Sequence, residues 1–346
     1  MRPRLLVLSR QGRASLPARA WPHLTALADV REVVCDRAPD PSVAAELLAD
    51  VDVLAATNLC LPRIDEALLD AAPRLTGIVL YATGYDHLDL PLLRERGIAL
   101  SVLPDYATEA VAETCLAQLL ALATRLHLAH DRSRGSVPPS TSLRGVELAR
   151  RTLGVVGVGR IGARVAELGR AIGMTVVGHD VDPVVRHERA AAGTAMVDLS
   201  ELLAAGDAVA LCASANQSGL PIIGAPELRL MRARAFLANV GRPQLVDTPA
   251  VLAAVRAGRL RGYAVDEIVL DPVRDADLLT EGRVLQTGHS AWWRDEVLRR
   301  GGDHWFEHIA AMLRGAPLDV VTGDESSTAR LAGVVGAGGG RVEATA

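Results

Sequence analysis

Lysine is absent from this chain. All 37 of its Lys+Arg positions are arginine. That excludes a Schiff-base lysine, a lysine general base and the lysine of a phosphate-binding P-loop. GC-rich codon usage accounts for the bias, and the exclusion holds whatever the cause. Cysteine is sparse, and Cys35, Cys60, Cys115 and Cys212 form neither a CxxC pair nor a zinc-ligand spacing. A reduced, cytoplasmic setting without a metal centre fits that pattern. Excess positive charge is lacking too. The net charge is −4 and the arginines are interleaved with acids, so nothing marks a nucleic-acid or anionic-membrane partner. Long apolar runs are missing as well. The opening MRPRLLVLSR is too short in apolar residues for a signal-peptide core, and the stretch 111–123 falls well short of a membrane span.

What is present describes a soluble protein of 346 residues, 49% hydrophobic and 23% charged, with room for about two domains. Short aliphatic and β-branched runs alternate with helix-period stretches. Strands are expected at 5–8, 32–35, 51–55, 77–80 and 98–102, with helices near 18–28, 43–49 and 64–71. A long helix is expected over 109–126, followed by a Pro-rich loop at 131–143. The alternation restarts with strands at 153–156, 175–178, 208–212, 235–239, 262–265 and 284–286. This rhythm predicts an α/β fold of two Rossmann-like, doubly wound parallel-sheet domains with an interdomain cleft. One domain comprises 1–102 plus a returning helix within 292–321, and the other comprises 103–291. The Gly/Ala-rich stretch 322–346 reads as a disordered tail.

TLGVVGVGRIG supplies Gly157, Gly159 and Gly162 as G-x-G-x-x-G between a strand and a helix. The first glycine permits a tight turn, the second lets backbone approach a pyrophosphate, and the third lets helix and strand pack closely. Helix N–H groups then favour the phosphate charge. The next strand ends at Asp180, about twenty residues beyond Gly157, where a ribose-binding acid belongs. Asp180, with Asp182 beside it, would repel a 2′-phosphate, so the cofactor expected is NAD rather than NADP.

Three later segments place charged residues just past strand ends, where an open α/β sheet puts its ligand crevice. They are Arg242 in NVGRPQLVD, Asp271 in AVDEIVLDP and His289 in TGHSAWW. An arginine grips a carboxylate bidentately, a histidine moves a proton near neutral pH, and a carboxylate can orient it. Plainer readings stand beside these: Asp271 as a turn residue before Pro272, Trp292 and Trp293 as packing, Tyr81 and Tyr106 as structural, and Cys212 as core. The H-x-x-E-H spelled by His304 to His308 lacks folded sequence downstream for a third ligand. His127 and His130 read as cations near a helix C-terminus.

Together with YATGYDHLDL, VLPDYATEAVAE and GVELARRTLGVVGVGRIG, these segments resemble the D-isomer-specific 2-hydroxyacid dehydrogenases from about residue 75 to 321. The resemblance implies that Arg242 binds the substrate carboxylate and polarises the carbonyl. It makes His289 the proton donor and Asp271 the acid that orients it. It puts Ala82, Thr83 and Gly84, next to Tyr81, in the loop holding the carboxylate. Arg160 and Ile161 would meet the cofactor at the helix start, with Cys212, Val240, Gly241 and Asp266 along the crevice. Trp292 would wall the pocket, as in the similar corepressor proteins. The substrate implied is a small 2-oxo or D-2-hydroxy acid, and the assembly a homodimer through the nucleotide domain and helix 109–126.

This chain departs from the family pattern in its loops. Asp271 stands where Glu is usual, Pro243 and Gln244 replace a Gly pair after Arg242, and Gly288 replaces a proline before His289. Cys212-Ala213-Ser214 replaces His-x-Pro. A hydroxyphosphonate or other small anion is an alternative substrate, though phosphite is disfavoured because its users carry a lysine where Thr83 stands. A non-catalytic NAD(H)-sensing role is the alternative from another class.

Overall fold

The computed structural model describes residues 2–214 and 219–323. They divide into two compact units, residues 2–106 with 295–323, and 107–294. In the first, five strands run parallel: β1 (Arg4–Ser9), β2 (Asp29–Val34), β3 (Val53–Thr57), β4 (Gly77–Tyr81) and β5 (Ala99–Ser101). Their order is β2-β1-β3-β4-β5. The near-continuous apolar runs of β1, β3 and β4 are those of strands buried on both faces.

The helix Asp295–Leu313 returns to this unit and packs on β3 and β4. Its Trp305 is wholly buried and donates its ring N–H to the Val79 carbonyl at 3.1 Å. Truncating such a residue costs about 3–5 kcal/mol, enough to hold a sequence-distant helix in place. Beyond the helix, Val320 bridges antiparallel to Ser101. Thr322, expected to open a disordered tail, is instead buried, and its hydroxyl accepts from the Leu100 N–H at 3.0 Å. Residues 324–346 lie outside the described residues.

The second unit holds seven parallel strands: β6 (Thr152–Val156), β7 (Thr175–His179), β8 (Ala195–Met196), β9 (Ala208–Leu211), β10 (Ala235–Asn239), β11 (Leu260–Val265) and β12 (Val284–Gln286). The order β12-β11-β10-β9-β6-β7-β8 reverses direction between β6 and β9. That reversal opens a crevice at the carboxyl ends of those two strands. The helix Thr108–Thr124 packs on β10, β11 and the helix Arg160–Ala171. Leu202, Leu203, Val251, Leu252 and Val255 join β9 to β11 in one apolar core. No helix among the described residues is long and apolar enough to cross a membrane.

Candidate active site

At the switch between β6 and β9 the chain must turn sharply, and glycine makes that possible. Gly157 has φ +81°, and a Cβ there would lie 2.5 Å from Ala213 backbone, just past β9. A Cβ on Gly162 would lie 1.9 Å from the Gly157 carbonyl oxygen, so the helix carrying Gly162 can approach only because that residue is glycine. Gly159 has open space where its Cβ would be. That is the clearance a pyrophosphate needs, and Arg160 and Ile161 open the helix beside it. Asp180, immediately past β7, accepts from the Val158 N–H through Oδ2 at 2.8 Å and from the Asp182 N–H through Oδ1 at 3.0 Å. Each carboxylate oxygen keeps a second lone pair for a ribose hydroxyl. These residues fit NAD.

The remaining chemistry rises from β10, β11 and β12, which are neighbours in the sheet. Past β10, the buried Asn239 closes a turn on itself. Its Oδ1 accepts from the Gly241 N–H at 3.1 Å, and its Nδ2 donates to the Arg242 carbonyl at 2.8 Å. Val240 is buried against this turn, and a Cβ on Gly241 would meet the Ala213 carbonyl oxygen at 2.5 Å. The partly exposed Arg242 follows, with its backbone fixed from beneath.

Past β11 and β12, two segments are knitted together by Asp266. Its carboxylate accepts from the Thr287 hydroxyl at 2.6 Å, the Ser290 N–H at 2.9 Å and the Ala291 N–H at 3.1 Å. Its backbone carbonyl accepts from the His289 N–H at 3.0 Å. Gln118, from the helix Thr108–Thr124, donates to the Thr287 hydroxyl at 3.0 Å. The expected cofactor contact Asp266 is thus also the template of the loop bearing His289. His289 itself sits at φ +58°, a conformation uncommon for a residue with a side chain.

The acid facing His289 is not the one expected. His289 Nδ1 lies 2.6 Å from Glu267 Oε1. Asp271 is exposed, and its Oδ1 accepts from the Arg274 N–H at 2.7 Å and the Val273 N–H at 2.9 Å. Those two backbone bonds, Arg274 first, hold its carboxyl below the usual value. Asp271 is therefore a turn-forming residue before Pro272, and the pairing with His289 passes to Glu267. The signal for Glu267 was its position directly after Asp266, two residues past the end of β11. Asp271 lies four residues further on, in a Pro-containing turn.

Other expected residues fall as follows. Cys212 follows β9 and its thiol faces Cys115; that contact and burial push it well above the ordinary thiol value. Trp292 is partly buried, edge-to-face with the half-exposed Trp293 at 5.0 Å between ring centroids. In the first unit, Tyr81 belongs to the core rather than to a binding loop. Its ring packs edge-to-face on Tyr106 and Trp305, its hydroxyl donates to the Leu298 carbonyl, and burial pushes it up to about 12. Ala82 N–H donates to Leu80 and the Thr83 hydroxyl to the Leu103 carbonyl at 2.7 Å, so the 82–84 turn is tied to the end of β5. Thr83 is exposed and Gly84 partly so.

Residues 116–291 match the NAD binding domain of the D-isomer specific 2-hydroxyacid dehydrogenases. The chain is 34% identical over 267 residues to a glyoxylate reductase of Aeropyrum pernix, covering 75% of this chain and 79% of that one. It is 30% identical over 272 residues to D-3-phosphoglycerate dehydrogenase of Methanocaldococcus jannaschii, covering 78% of this chain. There it spans about half the relative's length, 51%. D-lactate dehydrogenase from Aquifex aeolicus, solved with NAD and lactic acid, is 26% identical with a TM-score of 0.74, covering 92% of this chain and 100% of that one.

Proposed function

The chain belongs to the D-isomer specific 2-hydroxyacid dehydrogenase family, which makes it an NAD-linked oxidoreductase acting on CH–OH donors, and from that premise we propose how this site works and on what. The substrate is a small 2-oxo acid, reduced to its D-2-hydroxy acid or formed in the reverse direction. The observation that carries this reading is the His289–Glu267 pair, raised past β12 and β11, the two strands that follow β10, which bears Arg242, in the sheet order.

Reduction adds a hydride to C2 and a proton to the carbonyl oxygen. NAD, when bound in reduced form, supplies the hydride. A carboxylate only accepts hydrogen bonds, so the Glu267 contact puts the ring proton on Nδ1. That leaves His289 Nε2 to hand a proton to the carbonyl oxygen and to take it back in oxidation. Glu267 fixes the ring and stabilises its charged form. Arg242 binds the carboxylate and draws charge from the carbonyl. Asp180 keeps the ribose 2′ position free of phosphate by charge repulsion. A homodimer built through the nucleotide-binding unit is proposed as well, on family resemblance.

A screen of NADH and NADPH oxidation over glyoxylate, hydroxypyruvate, branched, aromatic and phosphonate-bearing 2-oxo acids tests the reading. His289→Ala is expected to abolish turnover while NADH still binds. Unchanged turnover in that variant would remove His289 from the chemistry. NADH-dependent association with a partner, and no turnover of any acid, would replace the enzyme reading altogether.

A further inference from the structure

The opposite, amino-terminal edge of the nucleotide-binding sheet carries a second concentration of chemistry. Arg151 immediately precedes β6, Arg234 precedes β10, Arg261 lies at the start of β11 and Arg283 immediately precedes β12. Arg125 joins them from the break between the helices Thr108–Thr124 and Leu126–Ser133. A cavity of about 450 Å³ opens there, lined by Arg125, Arg283, Thr141, Ser142, Thr280 and Glu281.

Arg125 is unusual on two counts. Its backbone is left-handed, φ +57°, where side-chain-bearing residues are uncommon. Its Nε–H is buried without a hydrogen-bond partner among the described residues, while Nη2 donates to the Glu281 carbonyl at 3.1 Å. The Glu281 carboxylate is engaged by Arg283. The lining therefore keeps one positive charge beyond that pair. Burial first, then Arg283, hold the Arg125 guanidinium below its ordinary value. Arg261 is lowered by burial and then by Arg234, Arg151, Arg125 and Arg144. An anion would relieve that repulsion.

We propose that this cavity binds a tetrahedral oxyanion, either inorganic phosphate or the phosphate group of a small ester. Arg283 is taken up by Glu281 and the Val255 carbonyl, and the Thr280 hydroxyl donates to the Ala276 carbonyl, which leaves the Arg125 guanidinium and the Thr141 and Ser142 hydroxyls as donors. They suit the three or four oxygens of a phosphate. The limited charge favours a small ligand over a polyanion. None of these residues belongs to the proposed active site, so the inference stands apart from the reading of that site.

The test is calorimetric titration of the whole chain with inorganic phosphate and with glycerol phosphate. Ionic strength is held constant with chloride, and the titrations are run with and without NADH to separate this cavity from the dinucleotide cradle. Saturable binding that persists with NADH present is expected. Arg125→Ala and Ser142→Asp are each expected to weaken it at least tenfold, and His23→Ala, in the other unit, to leave it unchanged. Ser142 is exposed, so the aspartate variant keeps the test alive if Arg125→Ala fails to fold. Tighter binding of the ester identifies a phosphorylated metabolite as ligand, and equal binding identifies free phosphate. Absence of saturable binding, or binding unmoved by Ser142→Asp, overturns the proposal.

Discussion

Replacing Glu267 by Gln isolates what its charge contributes. Its oxygen lies 2.6 Å from His289 Nδ1, with the two side chains 32% and 50% exposed. A hydrogen bond to a charged group contributes about 1.5–3 kcal/mol. Solvent screening at this exposure lowers that to about 1–2 kcal/mol. The Gln oxygen still accepts from Nδ1–H, so the tautomer survives and only the charge is lost. At about 1.4 kcal/mol per tenfold, kcat is expected to fall about 5–30-fold. KM for NADH should change little, because the glycine turn and Asp180 lie at the ends of β6 and β7. Asp271→Asn is the matched control. Its carboxylate serves its own turn, and the amide oxygen can still accept from Val273 and Arg274, so kcat should change less than about twofold. Steady-state NADH oxidation on the best acid from the screen decides the matter. A larger loss in Asp271→Asn than in Glu267→Gln would return the role to Asp271 and refute the pairing.

Gly162→Ala should abolish NADH binding in a fluorescence titration, because its Cβ would stand 1.9 Å from the Gly157 carbonyl oxygen. Overpacking of this kind also costs about 1–3 kcal/mol, visible as a lower Tm. Asp180→Ala removes the carboxylate that repels a 2′-phosphate. KM for NADPH should fall about tenfold or more, while NADH binding weakens through lost ribose contacts. His308 gives a pH prediction for stability. It is buried, 2.9 Å from the Ser101 hydroxyl and 3.4 Å from Asp319. Burial, the larger influence, holds it below its ordinary value of 6.5 although Asp319 opposes the shift. The unfolded chain then takes up this proton more readily than the folded one. The contribution is complete above pH 6.5 and is lost as pH falls through the lower, folded value. Thermal melts from pH 8 to 5 should show that loss, and His308→Gln should flatten it.

The sheets were legible because parallel strands buried on both faces read as short apolar runs, and eleven of the twelve strands overlap the expected runs closely enough to fix their order in the chain. β8 was not, since Ala195–Met196 is only two residues at a sheet edge and is partly exposed. The cofactor cradle was legible because its glycines answer to backbone geometry, which spacing encodes directly. The acid beside His289 was not. Spacing says which loop a carboxylate occupies but not where its side chain points. Asp271 is drawn into its own turn by the Val273 and Arg274 N–H groups, a local competition that Asp and Asn commonly win. Tyr81 failed for a related reason: its neighbours along the chain suggest a binding loop, but its alternation in β4 turns the ring towards Trp305.

Two of the loop departures are linked by backbone geometry. Gly288 stands at φ +62° and His289 at φ +58°. Proline is fixed near −65°, so the family's usual proline before the histidine could not take this path. A left-handed histidine costs about 1–2 kcal/mol. The Asp266 carboxylate offsets that cost, because its bonds to Thr287, Ser290 and Ala291 are charge-assisted and contribute about 1.5–3 kcal/mol each before desolvation. The loop is therefore anchored on both sides of a residue that glycine has allowed to turn over. With the backbone turned, Nδ1 meets the carboxylate just past the end of β11 rather than one further along. The change from proline to glycine and the transfer of the acid from Asp271 to Glu267 are then two halves of one rearrangement. The imidazole keeps a carboxylate partner, as the proposed proton transfer requires of it.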